Sequence, residues 1–201
     1  CKEDVFTPSV ESINIELIGR TSHAGEPDKG INPSKAISDI INFFNTLHQP
    51  NMDKPRYFVV APIHVKMGEE AYGTSAGYGK IGYTIRSTDY EYFKTQKTQI
   101  ENKIGKIASH QNLEYKMEWL EAFSANINDK NVVDTIKKSC ANLDLNYINR
   151  PKPFDWGEDF GLFTQHFEGA MFGMGAGENA HSLHDNRYDF PDEINPTAIQ
   201  L

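Results

Sequence analysis

The hydrophobic patterning of this chain predicts an α+β unit followed by a piece of an α/β one. Over residues 9–123 the patterns run strand, helix, strand, strand, helix, strand. That is the ferredoxin-like βαββαβ arrangement, an antiparallel sheet with two helices on one face. From 124 to 201 helical and strand-like stretches alternate. Those residues are too few to fill an α/β sheet alone, so they read as the C-terminal tail of a larger domain whose beginning is missing. The third observation is a compact turn, GRTSHAGEPDKGINPSKAI, which joins the first strand to the first helix and carries His23.

Each element has its own signature. Ile13, Ile15 and Leu17 alternate with Asn14 and Glu16, the period of a half-buried strand. Gly25, Pro27 and Gly30 punctuate a turn, and Asn32 can cap a helix whose first residue is Pro33. Ala36, Ile37, Ile40, Ile41, Phe44 and Leu47 then fall on one helical face. Residues 48–54 form a polar connection, and 56–67 read as a strand in which Pro62 marks an edge or a bulge. After the glycine-rich GEEAYGTSAGYG, residues 80–86 alternate again, with Ile81, Tyr83 and Ile85 opposite Gly82, Thr84 and Arg86. Thr88 or Asp89 caps a helix bearing Phe93, Ile100, Ile104 and Ile107, and 113–123 is the fourth strand. Beyond Ser124 the expectations are a helix over 129–142, a short strand near Tyr147, the turn RPKPFDWGEDFG, a helix over 160–166 and a strand AMFGMG.

Composition removes several classes. With 20 basic and 28 acidic residues the net charge is -8, which disfavours nucleic acid or an anionic membrane as partner. No apolar run approaches the roughly 18 residues of a membrane span, and the start CKEDVFTPSVE has no targeting pattern. A cytoplasmic location is expected. Cys140 shares a helical stripe with Val133 and Ile136 and reads as a core thiol. Cys1 reads as the start of a truncated chain, the alternative being the lipidated residue of a processed lipoprotein.

Three stretches can carry chemistry. His23 sits on a loop at a sheet edge, where it is a solvated histidine or one that reaches outside its own domain. His181 and His184 stand in a loop after a predicted strand, followed by Asp185, Asp189 and Asp192. Imidazole with carboxylates is a zinc donor set, but a catalytic zinc takes three protein ligands and no second cluster is evident. In WGEDFG, Glu158 and Asp159 open a helix, favoured there by the macrodipole or placed to support a metal-bound imidazole.

Taken in order, these stretches resemble the zinc-dependent amidohydrolases that include the N-acyl-amino-acid deacylases and hippurate hydrolase, relatives of aminoacylase and carboxypeptidase. GRTSHAGEPDKGINPSKAI resembles the opening of their lid, or dimerisation, domain; GEDF is similar to their acidic turn; GAGENAHSLHDNRYDFPDE resembles their final metal-binding loop. The resemblance implies a lid over 9–123 and, over 124–201, the C-terminal segment of an α/β zinc-peptidase catalytic domain. It implies His184 as one ligand of a two-zinc centre, and His23 as a donor to the scissile carbonyl across a homodimer. Arg86 would bind a substrate carboxylate, and Glu158 and Asp159 would support the site. The implied substrate is an N-acyl amino acid or small peptide. The remaining ligands and the general base lie upstream in that family, so this chain alone is expected to be inactive. Tyr72 to Ala76 stand where the family carries an Asn-Val-Ile-Pro run, a departure that singles out Gly73. The alternative reading is a non-catalytic dimerisation or binding module derived from such a hydrolase, and a ferredoxin-like amino-acid sensor would explain only residues 1–123.

Overall fold

The computed structural model describes residues 1–54 and 56–201. Its strands are β1 (Asp4–Thr7), β2 (Ser9–Ile18), β3 (Ser22–His23), β4 (Phe58–Met67), β5 (Thr74–Ser75), β6 (Tyr78–Ser87), β7 (Glu114–Phe123) and β8 (Asn126–Asn128). Its helices are α1 (Ser34–Leu47), α2 (Tyr90–His110), α3 (Lys130–Asn142), α4 (Gly161–Thr164) and α5 (Asn195–Gln200). None of the described helices is long and apolar enough to cross a membrane.

The central sheet is antiparallel in the order β4-β6-β2-β7. Its β2–β6 pairing runs unbroken from Ser9 opposite Ser87 to Ile18 opposite Tyr78. Alternation then decides the faces. Ile13, Ile15, Leu17, Ile81, Tyr83 and Ile85 point one way and are buried with Ala36, Ile40 and Phe44 of α1 and Phe93, Ile100 and Ile104 of α2. Both helices therefore cover the same face, where Phe44 stacks on Tyr83 with ring centroids 4.1 Å apart. Lys97 fastens α2 to the sheet: its Nζ meets both oxygens of Glu11 at 2.7 and 2.8 Å and lies 4.3 Å from the centre of the Trp119 ring.

Local chemistry sets the element ends. α1 begins one residue later than the spacing predicts, with Pro33 at its N-cap and no side-chain cap bond; Asn32 stands just ahead, accepting the Ser34 N–H at 2.9 Å while its amide nitrogen donates to Ser75 Oγ at 3.0 Å. Asp89 caps α2 through the Tyr92 N–H, and Asp129 caps α3 through Asn131 and Val132. Pro62 sits at a register shift between β4 and β6, the bulge that an edge strand tolerates.

Residues 124–201 are built differently. The two chain crossings out of the sheet run side by side as the β1–β8 ribbon, and α3 buries only Val133 and Cys140. No strand forms near Tyr147 or over AMFGMG. A strand needs a neighbour, and these segments meet single groups instead. Ile148 O accepts from the Cys1 amine and Arg150 N–H donates to Cys1 O. The Met171 backbone is held by the Asn128 side chain, whose Oδ1 accepts at 2.7 Å while its Nδ2 donates at 2.8 Å. The predicted helix over 160–166 is reduced to α4. Large apolar side chains stay exposed here: Ile148 67%, Leu162 63%, Phe167 70% and Ile199 85%.

Because Phe44 is fully buried between helix and sheet, Phe44→Ala should lower the unfolding free energy by about 3–5 kcal/mol. Tyr72→Ala, at a 95% exposed position, should change it by less than about 0.5 kcal/mol. Urea unfolding followed by circular dichroism measures both.

Candidate functional site

His23 lies in a two-stranded ribbon beyond the distal end of the sheet, where β3 pairs with β5. His23 is opposite Thr74, and Ala24 N–H donates to Gly73 O at 2.9 Å, so the glycine-rich segment around Gly73 is the one that holds this histidine. The imidazole is exposed, and its Nδ1 accepts the Gly25 N–H at 3.0 Å.

Arg86 lies at the opposite end of the sheet, paired with Val10 and Val59. By alternation it points to the face that the helices leave open. Its guanidinium makes no hydrogen bond or ion pair to the described residues. Its neighbours show through Tyr57, whose phenol is pushed up chiefly by burial, further by Asp155, and pulled back by Arg86. Arg86 thus shares its surroundings with the RPKPFDWGEDFG turn.

That turn is seated on the crossings between sheet and tail. A Cβ on Gly157 would stand 2.8 Å from Val10 Cγ2 and 3.2 Å from Phe123 Cβ, and one on Gly161 would run into Ser124 O. Only glycine lets the backbone come so near, so Glu158 and Asp159 are held between two fixed points. Their carbonyls accept from Gly161 and Leu162 to start α4, and their carboxylates make no hydrogen bond to the described residues.

His184 is exposed in the C-terminal loop with a left-handed backbone, φ 69°. Asp185 shapes this loop: its carboxylate accepts the Arg187 N–H at 2.9 Å and pairs with the guanidinium at 2.9 and 3.0 Å. These bonds hold the Asp185 carboxyl below the usual range. His181, three residues earlier, is exposed and has no hydrogen-bond partner among the described residues.

The structure therefore seats the RPKPFDWGEDFG turn at Gly157 against Val10, the strand partner of Arg86, and leaves His23 in a ribbon past the other end of the sheet. Eight residue steps along β6 lead from Tyr78 to Arg86, about 26 Å at strand rise. Sequence reasoning missed Asn128, whose amide acts as a substitute strand; an asparagine in a polar stretch carries no such signal. It also missed Gly25 as a partner of His23, though the spacing His-x-Gly was visible.

A family model described as peptidase family M20/M25/M40 matches residues 10–200. The chain belongs to this family. It is 22% identical over 198 residues to an uncharacterized hydrolase of Staphylococcus haemolyticus, a match covering 96% of this chain and 51% of the relative. This chain spans about half the length of the curated relatives it matches. Among solved structures it is similar to the Bacillus subtilis YXEP protein, described as a dinuclear metal binding peptidase, with TM-score 0.77 and 18% identity over 100% of this chain and 50% of that one. A tripeptidase of Staphylococcus aureus gives TM-score 0.62 and 22% identity over 82% of this chain and 44% of the other. At such identities the likeness is one of fold, the α/β fold of the M20 peptidases.

An M20 chain implies a metal. Among the described residues no three His, Cys, Asp or Glu side chains are placed to hold one. His184 is a single donor where a catalytic zinc takes three protein ligands. These residues do not complete a metal site.

The Asp185 carboxyl also sets a pH limit. A carboxyl held low contributes stability above its unfolded value, near 3.8, and loses it as pH falls through the lower folded value. The loop should therefore keep its Asp185–Arg187 pairing as pH falls to the ordinary carboxylate range and release it only on passing through the lower folded value. Arg187→Gln should return the Asp185 midpoint toward the ordinary range in a carboxyl NMR titration.

Proposed function

We propose that the protein containing these residues is a metal-dependent amidohydrolase that cleaves the amide bond of N-acyl amino acids or small peptides. Residues 9–123 are its ferredoxin-like lid and join two copies into a homodimer. Residues 124–201 are the C-terminal segment of its catalytic domain. The observation that supports this reading is that Arg86 lies at one end of β6 while the His23 ribbon lies past the other end, beyond Tyr78. With Arg86 about 26 Å from the Tyr78 end of β6, one copy's His23 is not the group that serves its own Arg86, whereas a second copy can present its His23 to this chain's Arg86 and acidic turn. Membership of peptidase family M20/M25/M40 supports the hydrolase class. The exposed apolar side chains of the tail support a domain completed by further chain, as does the half-length match to its relatives.

Each residue then has a task. Arg86 offers a planar guanidinium fork with no hydrogen-bond or ion-pair partner among the described residues, suited to a substrate carboxylate. The partner copy's imidazole donates a hydrogen bond to the carbonyl oxygen as charge develops there, a role worth about 3 kcal/mol. Glu158 and Asp159 supply negative potential beside the site. When two zinc ions are bound they supply an activated water, and His184 is this chain's single contribution toward holding them. The 201 residues alone are inactive on this reading.

Three measurements on the whole polypeptide test it. His184→Ala should lower activity by about a hundredfold or more; a loss below tenfold overturns the ligand role. Arg86→Gln should raise KM for carboxylate-bearing substrates by about ten- to a hundredfold with a smaller effect on kcat. Mixing inactive His23→Ala subunits with inactive His184→Ala subunits should restore activity in heterodimers. If mixing never restores any, the across-dimer role is wrong.

A further inference from the structure

We infer that the backbone N–H of Gly25 is the positioning group for His23: it occupies Nδ1, so that the imidazole presents Nε2–H as its outward donor. This rests on the proposed role of His23 as a hydrogen-bond donor and adds which atom donates and what fixes it.

The geometry is local and specific. Gly25 N lies 3.0 Å from His23 Nδ1. A backbone N–H can only donate, so Nδ1 must offer its lone pair. In the neutral ring the one proton then belongs to Nε2, since the partner of one ring nitrogen selects the tautomer at the other. Nε2 has no hydrogen-bond partner among the described residues, and the ring is exposed.

The loop is built to deliver that N–H. Glu26 N–H donates to His23 O at 2.9 Å, closing a turn in which Gly25 is the third residue, and Ala24 N–H donates to Gly73 O at 2.9 Å. The His23 backbone is thus pinned on both sides of the ring. A Cβ on Gly25 would stand 3.2 Å from Nδ1 and 3.4 Å from Cε1, so a side chain there would crowd the ring. Glycine lets the amide approach closely and keeps the imidazole from swinging. A donor whose tautomer and direction are set before the substrate arrives needs no rearrangement as charge develops on the carbonyl oxygen.

The test separates the two nitrogens. A glutamine amide nitrogen overlays Nε2 and an asparagine amide nitrogen overlays Nδ1. In the whole polypeptide, His23→Ala should lose about a hundredfold in kcat. His23→Gln should recover about tenfold of that, and His23→Asn should stay with the alanine variant. Recovery by asparagine equal to or above glutamine overturns the inference. With the histidines labelled with 15N, the neutral His23 ring should show an unprotonated Nδ1 coupled across the hydrogen bond to the Gly25 amide, and a protonated Nε2. A protonated Nδ1, or two tautomers in fast exchange, overturns it. Gly25→Pro, which lacks the N–H, should release the tautomer preference; a preference unchanged from the natural chain overturns the inference. If that variant does not fold, the natural chain's spectrum and the glutamine–asparagine pair still decide. A His23→Ala loss below threefold sinks the donor role itself. A hundredfold loss with asparagine rescue, or with the proton on Nδ1, sinks only the Gly25 assignment.

Discussion

The register of β2 against β6 is the constraint on which the rest depends. Ile13, Ile15 and Leu17 stand opposite Tyr83, Ile81 and Gly79, and a slip of one residue would turn the apolar set of one strand to the open face. Burial of both sets under α1 and α2 makes that slip costly, because each buried aliphatic side chain is worth about 1.5–3 kcal/mol. The same register places Arg86 beside Val10 at one end and carries the chain to the His23 ribbon at the other. Packing on the helix face thus dictates the spacing of functional groups on and beyond the open face.

The two parts of the chain differ in how completely they satisfy themselves. The sheet and its helices enclose a continuous core. The tail instead relies on borrowed contacts. Asn128 is almost fully buried, and its amide closes a pair of hydrogen bonds with Met171 that a neighbouring strand would otherwise make. A buried amide left unpaired costs roughly 1–3 kcal/mol, so the pairing stabilises an otherwise unsupported segment. Ile148, Leu162, Phe163, Phe167 and Ile199 of this part remain exposed, unlike the apolar side chains enclosed by the sheet and its helices.

Communication between the parts runs through the two crossings. Gly157 and Gly161 let the acidic turn rest directly on Val10, Phe123 and Ser124. A surface ion pair, Lys152 to Asp53 at 2.7 Å, also links the parts. Both its side chains are more than half exposed, and such pairs contribute about 0–1 kcal/mol. The close-packed glycine contacts, not the ion pair, locate Glu158 and Asp159 relative to Arg86.

The sequence by itself determined the element order of residues 9–123, the α1 face of Ala36, Ile37, Ile40 and Phe44, a cap for α2 at Thr88 or Asp89, and the assignment of Arg86 to the less apolar side of its strand. These features are local: they follow from periods of two and 3.6 and from side chains that bond to nearby backbone. Only the tertiary structure decided that AMFGMG is not a strand, that β1 pairs with β8 across more than a hundred residues of chain, and that Arg86 lies at one end of the central sheet while His23 lies in a separate ribbon past the other. Whether an apolar run becomes a strand depends on a partner from elsewhere in the polypeptide, and the distance between two side chains depends on register. Neither quantity is written in the spacing of neighbouring residues.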